Sequence, residues 1–144
     1  MYNLVTFFNK VWDMRRISTW AKFAKDPNYK LVDLGRPAIF LIPEKKLRIK
    51  IGGQTIETIL HNFLSEKFGA FTSSIVANFG IWVNDKNVVH KDRCRIYEVS
   101  FEGKGRIPIL LRKLAEMARL TDEECIYLKA GQYSCLVYPK SLKR

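Results

Sequence analysis

From Leu47 onward the apolar residues change period in a fixed order, and that order constrains the fold more than any other feature. Side chains alternate faces along a strand and return to one face every three to four residues along a helix. Leu47, Ile49 and Ile51 alternate with Arg48 and Lys50, the pattern of a half-buried strand with one basic face. Ile56, Ile59, Leu60, Phe63, Leu64 and Phe68 form a helical stripe, and Gly69 supplies its C-terminal stop. Phe71, Ile75, Ala77, Phe79, Ile81 and Val83 then fall on one parity of a long strand. Asn84-Asp85-Lys86-Asn87 makes a hairpin turn into a return strand from about Val88 to Phe101. Gly103 and Gly105 break that strand, and Pro108 suits the first turn of a second helix. Leu110, Leu111, Leu114, Met117 and Ala118 give it a buried stripe. Thr121-Asp122-Glu123 turns the chain into Cys125–Lys129, and Gly131 leads to a closing strand, Tyr133–Tyr138.

Strand, helix, strand, strand, helix, strand is the order of a split βαβ unit. The expected fold is therefore α+β: a ferredoxin-like antiparallel sheet with two amphipathic helices on one face, over residues 47–139. Residues 1–46 form a basic extension ahead of it, and 140–144 a basic tail. Within the extension the spacing predicts a helix from Met14 to Lys25, then short strands at Lys30–Leu34 and Ala38–Ile42. Its aromatic residues, among them Phe7, Phe8, Trp12, Trp20 and Phe23, are expected to cover the open face of the sheet.

At 144 residues with 47% hydrophobic side chains, the chain is long and apolar enough to bury a core, which excludes wholesale disorder. Cys94, Cys125 and Cys135 are odd in number and have no CxxC spacing, which argues against a disulfide framework or a zinc site. No apolar run approaches the roughly 20 residues of a membrane span, and the start lacks the pattern of a secretory signal. A cytoplasmic protein with reduced thiols is expected.

Catalytic motifs are weak. His90, Asp92 and Cys94 share one side of a strand, but neighbours two apart stand roughly 7 Å from each other, too far for a histidine to activate a thiol. Glu57, His61 and Ser65 follow at helical spacing on what reads as a solvated helix face, with no HExxH pattern. Gly52-Gly53-Gln54-Thr55 and Gly103-Lys104-Gly105-Arg106 each precede a helix and suit a turn or a phosphate contact, without a phosphate-loop or dinucleotide signature. No catalytic residue, metal site or cofactor is assigned from these motifs, and an enzyme is not expected. A metal-free ribonuclease using His90 is the remaining enzymatic reading.

Charge points elsewhere. The chain carries 25 Lys and Arg against 14 Asp and Glu, a formal +11. Residues 1–50 hold eleven basic and four acidic side chains, against fourteen and ten in the remainder. Such a surplus favours polyanionic partners. Lys91, Arg93, Arg95 and Tyr97 alternate on one side of the return strand, and Arg48 and Lys50 make a second row. If the two strands are neighbours, the rows merge into a basic strip with Tyr97 and Trp82 as stacking surfaces. The leading expectation is a small, non-enzymatic nucleic-acid-binding protein for single-stranded RNA or DNA, using Arg48, Lys50, Arg93, Arg95, Tyr97, Lys104 and Arg106. The alternative is a protein-interaction module: an inhibitor or assembly subunit that docks on an acidic partner, or a homodimer formed through the edge strand Tyr133–Tyr138.

Overall fold

The computed structural model describes residues 20–101 and 105–140. The chain divides into two compact units, Met1–Leu34 and Gly35–Arg144. In the first, a 3-10 turn at Ala21–Phe23 is followed by a compact loop. The Asp26 carboxylate there accepts from the Asn28 backbone N–H at 2.8 Å, and the Tyr29 hydroxyl donates to the Phe23 carbonyl at 2.7 Å. Of the helix expected over Met14–Lys25, residues 14–19 lie outside the described residues, as do Phe7, Phe8 and Trp12. Lys30–Leu34 is not a strand.

The second unit begins with strand β1 (Arg36–Pro43), a single helical turn α1 (Glu44–Leu47), and a ribbon of β2 (Lys50–Ile51) with β3 (Gln54–Thr55). Helix α2 (Ile56–Phe68), β4 (Thr72–Ser73), β5 (Asn78–Val83) and β6 (Val89–Phe101) follow. Helix α3 (Arg106–Leu120), β7 (Ile126–Ala130) and β8 (Tyr133–Val137) complete it. The sheet runs β4-β6-β1-β7-β8, with β5 also on β6, and every pairing is antiparallel. Taking β4 and β5 together as the second strand, the order is that of a split βαβ, ferredoxin-like sheet with β8 added at one edge.

One face of the sheet carries the core. Ala38, Phe40 and Ile42 of β1 stand opposite Val99, Tyr97 and Arg95 of β6, and Ile126 and Leu128 of β7 share their side. Ile56, Leu60, Leu64 and Phe68 of α2, with Leu110, Leu114, Met117 and Ala118 of α3, close over them in the same cluster. Both expected stripes are thus buried on one face. Thr55 caps α2 by accepting from the Thr58 N–H at 3.1 Å, and Gly69 ends it with φ at 77°, a conformation open to glycine at little cost.

The first strand of the fold is Arg36–Pro43, not Leu47–Ile51. Ala38–Ile42 is a continuous apolar run that fits the middle of a sheet, between β6 and β7. Pro43 ends it, and Glu44-Lys45-Lys46 favour a helical turn whose last bonds include Ile49 N–H to Lys46 carbonyl at 3.2 Å. Only Lys50–Ile51 remains extended, folded back on Gln54–Thr55 through Gly52 and Gly53 at positive φ. The long strand expected over Phe71–Val83 is interrupted between β4 and β5. There the Ser74 hydroxyl accepts from the Ile96 N–H at 3.0 Å, a bond that a neighbouring strand's carbonyl would otherwise make. Tyr133–Val137 does lie at the sheet's edge. Among the described residues no helix is long and apolar enough to cross a membrane.

Candidate functional site

Arg95 lies on the helix-covered side of β6, opposite Ile42, where the core gives way to polar groups. Two carboxylates converge on it. The turn after Pro43 brings Glu44 to 3.9 Å from Arg95 Nε, and the first turn of α2 brings Glu57 to 3.5 Å from Arg95 Nη1. The same Nη1 donates to the Ser74 carbonyl at 3.2 Å, while Nε is buried without a hydrogen-bond partner. An unsatisfied buried donor costs on the order of 1–3 kcal/mol, so this guanidinium has hydrogen-bonding capacity in reserve.

Tyr97, two residues further along β6, is fully buried and stacks on Phe40 with ring centroids 5.3 Å apart. Its hydroxyl shares a hydrogen bond with His61 Nε2 at 3.1 Å, and His61 leans on Phe71 at 4.8 Å. Glu57 and His61 are one helical turn apart, so both reach the same end of β6. His61 is therefore not simply a solvated side chain: it is partly buried, in contact with Tyr97 of β6 and with Phe71 just before β4. Burial pulls the His61 pKa down, with Arg95 adding to that effect and Glu57 opposing it. Burial, reinforced by the Glu57 charge, pushes Tyr97 up to about 12. Both shifts favour the uncharged forms of the two rings.

Glu44 also lines a surface depression of about 260 Å³ with Pro43, Lys45, Lys91, Asp92 and Arg93. Two carboxylates and three cations border it, and Lys45 and Asp92 are 3.9 Å apart. A depression edged by both signs of charge suits a ligand that itself carries both.

The residues expected to form a basic strip are dispersed. Arg48 ends α1 with an exposed side chain, 4.0 Å from Glu44. Lys50 sits in the two-stranded ribbon. Neither row can lie beside the other, because β1 occupies the place next to β6. Arg93 borders the depression, Arg95 is engaged by two carboxylates, and the Tyr97 ring is inside the core. Arg106 opens α3 and is exposed, and Lys104 lies outside the described residues.

On the opposite face of β6, Asp92 accepts from Trp82 Nε1 at 3.1 Å and His90 stacks on Trp82 at 4.2 Å. Cys94 is pushed up to about 11 by burial, with Asp92 and Glu123 adding to it, so its thiol stays protonated and is a poor nucleophile. All three cysteines are free. Spacing along the chain had shown the Glu57–His61 pair but not its orientation. Glu44 had no sequence signal, because only the sharp turn after Pro43 aims it at β6.

No protein-family model matches the chain, and no curated protein matches it. Solved structures do. A phage SAM lyase in its apo state superposes with a TM-score of 0.51 at 11% identity, over 80% of this chain and 98% of that one. A phage SAM lyase in complex with S-methyl-5'-thioadenosine superposes with a TM-score of 0.50 at 11% identity, over 78% and 96%. At that identity the likeness is one of fold. The fold matched is an enzyme's, and with the expected strip dismantled it corrects the expectation of a non-enzymatic nucleic-acid binder.

Proposed function

We propose that this chain is an enzyme acting on a small nucleoside of mixed charge, S-adenosylmethionine, and that it breaks a carbon–sulfur bond of that molecule. The carrying observation is the 260 Å³ depression, where the carboxylates Glu44 and Asp92 and the cations Lys45, Lys91 and Arg93 border one site, and where Glu44 is also 3.9 Å from Arg95. The substrate offers a carboxylate, an ammonium group and a sulfonium. Arg93 and Lys91 suit the first; Glu44 and Asp92 suit the two cations. The fold's occurrence with bound S-methyl-5'-thioadenosine supports the same choice, since that thioether is what leaves when the sulfonium is cut from the amino-acid chain.

A lyase step balances without water or a cofactor. The substrate's own carboxylate oxygen forms a bond to its γ-carbon as the γ-carbon–sulfur bond breaks. The electron pair goes to sulfur, and the products are a neutral thioether and a lactone. Charge at sulfur vanishes in this step, so carboxylates that hold the sulfonium stabilise the ground state at least as well as the transition state. The chain's contribution is then orientation: gripping both ends of the substrate so that the oxygen faces the carbon.

Incubation of the protein with S-adenosylmethionine, followed by chromatography, tests this. Formation of S-methyl-5'-thioadenosine is expected, with kcat/KM lowered at least about tenfold in Glu44→Gln and in Arg93→Ala. Turnover in Cys135→Ser should match the parent. Absence of product, together with no thermal stabilisation by S-methyl-5'-thioadenosine at about 1 mM, rejects the assignment.

A further inference from the structure

We infer that Trp82 is a positioning residue for the substrate site: its indole N–H fixes the Asp92 carboxylate and leaves one oxygen for a cationic group of the ligand. The inference rests on the reading of the depression as the place where S-adenosylmethionine binds, and it adds a residue outside the depression's own lining. Asp92 Oδ2 accepts from Trp82 Nε1 at 3.1 Å. Its Oδ1 stands 3.9 Å from Lys45 Nζ, too far for a hydrogen bond. The Asp92 side chain is 18% exposed against 72% for Lys45, so the carboxylate is largely covered while the lysine stands in water. A covered carboxylate needs a donor to offset its lost hydration. The indole is a neutral donor, so it orients Asp92 and leaves the negative charge for the ligand.

Register explains the reach. Across the hairpin Trp82 pairs with His90 and Gly80 pairs with Asp92, all four on one face. Glycine leaves the place opposite Asp92 open, and the indole crosses diagonally to the carboxylate. The indole is itself held. His90 stacks on it with ring centroids 4.2 Å apart and planes 13° from parallel, and His90 Nε2 shares a hydrogen bond with the Asn84 amide at 3.3 Å. The Asn84 side-chain carbonyl accepts from the backbone N–H groups of Lys86 and Val88 at 3.0 and 2.9 Å, which ties it to the hairpin turn. A continuous line of contacts therefore runs from that turn through His90 and Trp82 to Asp92. His90 and Asp92, which lack the reach to activate a thiol, gain in this way a role that needs no proton transfer.

A carboxylate already locked in one orientation loses less freedom when a ligand arrives, so the indole strengthens binding. A carboxylate that holds a substrate cation binds the ground state at least as well as the transition state, so the benefit falls on KM and leaves kcat nearly unchanged. S-methyl-5'-thioadenosine carries neither the ammonium group nor the sulfonium. It gains nothing from Asp92 and serves as the control ligand.

Trp82→Phe keeps a ring against His90 and removes the N–H. It is compared with the parent in steady-state cleavage and in calorimetric binding of sinefungin, an uncleavable analogue with an amine-bearing carbon in place of the sulfonium. KM and the sinefungin Kd should each rise about threefold to tenfold, with kcat within about twofold and the Kd of S-methyl-5'-thioadenosine unchanged. In an Asp92→Asn background the same substitution should add little, since both act through one carboxylate. If Trp82→Phe fails to fold, the parent's Trp82 indole N–H resonance decides, assigned by elimination in Trp12→Phe and Trp20→Phe. It should shift on saturation with sinefungin and shift less with the thioether. A parent that neither cleaves S-adenosylmethionine nor binds sinefungin overturns the functional reading and this inference with it. With an active parent, an unchanged sinefungin Kd in Trp82→Phe, an equal loss for the thioether, or an indole signal indifferent to sinefungin overturns the inference alone.

Discussion

Two halves of one strand meet opposite fates. Along β6, Arg95, Tyr97 and Val99 alternate towards the helices, and Tyr97 and Val99 are sealed from water. Lys91 and Arg93 continue the same parity, yet they and the residues opposite them, Ile81 and Phe79, are exposed. Alternation is identical in both halves. What differs is whether a helix lies above: α1 and α2 begin near Arg95, and among the described residues no helix covers the hairpin beyond that point. Periodicity therefore reports which side chains share a face, while burial depends on what the rest of the chain places over it.

The sharpest way to break this comparison is truncation at matched parity. Tyr97→Ala should cost about 3–5 kcal/mol in denaturant unfolding, as for other large buried aromatics. Phe79→Ala, measured at dilution, should cost under about 1 kcal/mol. Similar losses at the two positions would mean that the hairpin half is as covered as the other.

Alkaline pH probes the buried half alone. Tyr97 has a folded pKa of about 12, above its ordinary value of 10.0. Its contribution is full below pH 10 and is lost as pH rises towards 12, a fall on the order of 2 kcal/mol. In Tyr97→Phe that part of the decline should disappear.

At the junction of the halves, Arg95→Met leaves Glu44 and Glu57 facing each other without their shared cation. A loss of about 1–3 kcal/mol is expected, and adding Glu57→Gln should recover part of it in a double-mutant cycle. Strict additivity would show that Glu57 and Arg95 act independently.

Acid tests His61. Its folded pKa lies below the ordinary 6.5, so the unfolded chain binds the proton more readily. The stability it contributes is present above about pH 6.5 and is lost as pH falls. His61→Gln should flatten that part of the stability profile. Smallest of all is Arg48→Ala: the side chain is 81% exposed and its carboxylate is 4.0 Å away, so the change should stay within about 0.5 kcal/mol.

Much of the fold was legible in the sequence. Both helical stripes, the Gly69 stop, the turn at Asn84–Asn87 and the split βαβ order all stand in the structure, because each is a local pattern that burial on one face reinforces. The first strand was misplaced. Alternation at Leu47–Ile51 outweighed the continuous apolar run at Ala38–Ile42, although a strand covered by neighbours on both sides need not alternate. That shift moved Arg48 and Lys50 off the sheet and undid the basic strip. It also placed Glu44, which carried no pattern, beside Arg95.

By itself the sequence determined the class of fold, the faces of its helices and the size of its cationic surplus, since composition and period are properties of neighbouring residues. Only the tertiary structure decided which carboxylates meet Arg95, that His61 turns inward to Tyr97, and that the apolar side of the hairpin remains bare. Those outcomes depend on strand order and on which segments pack across the sheet, and contacts between residues far apart in the chain leave no trace in local spacing.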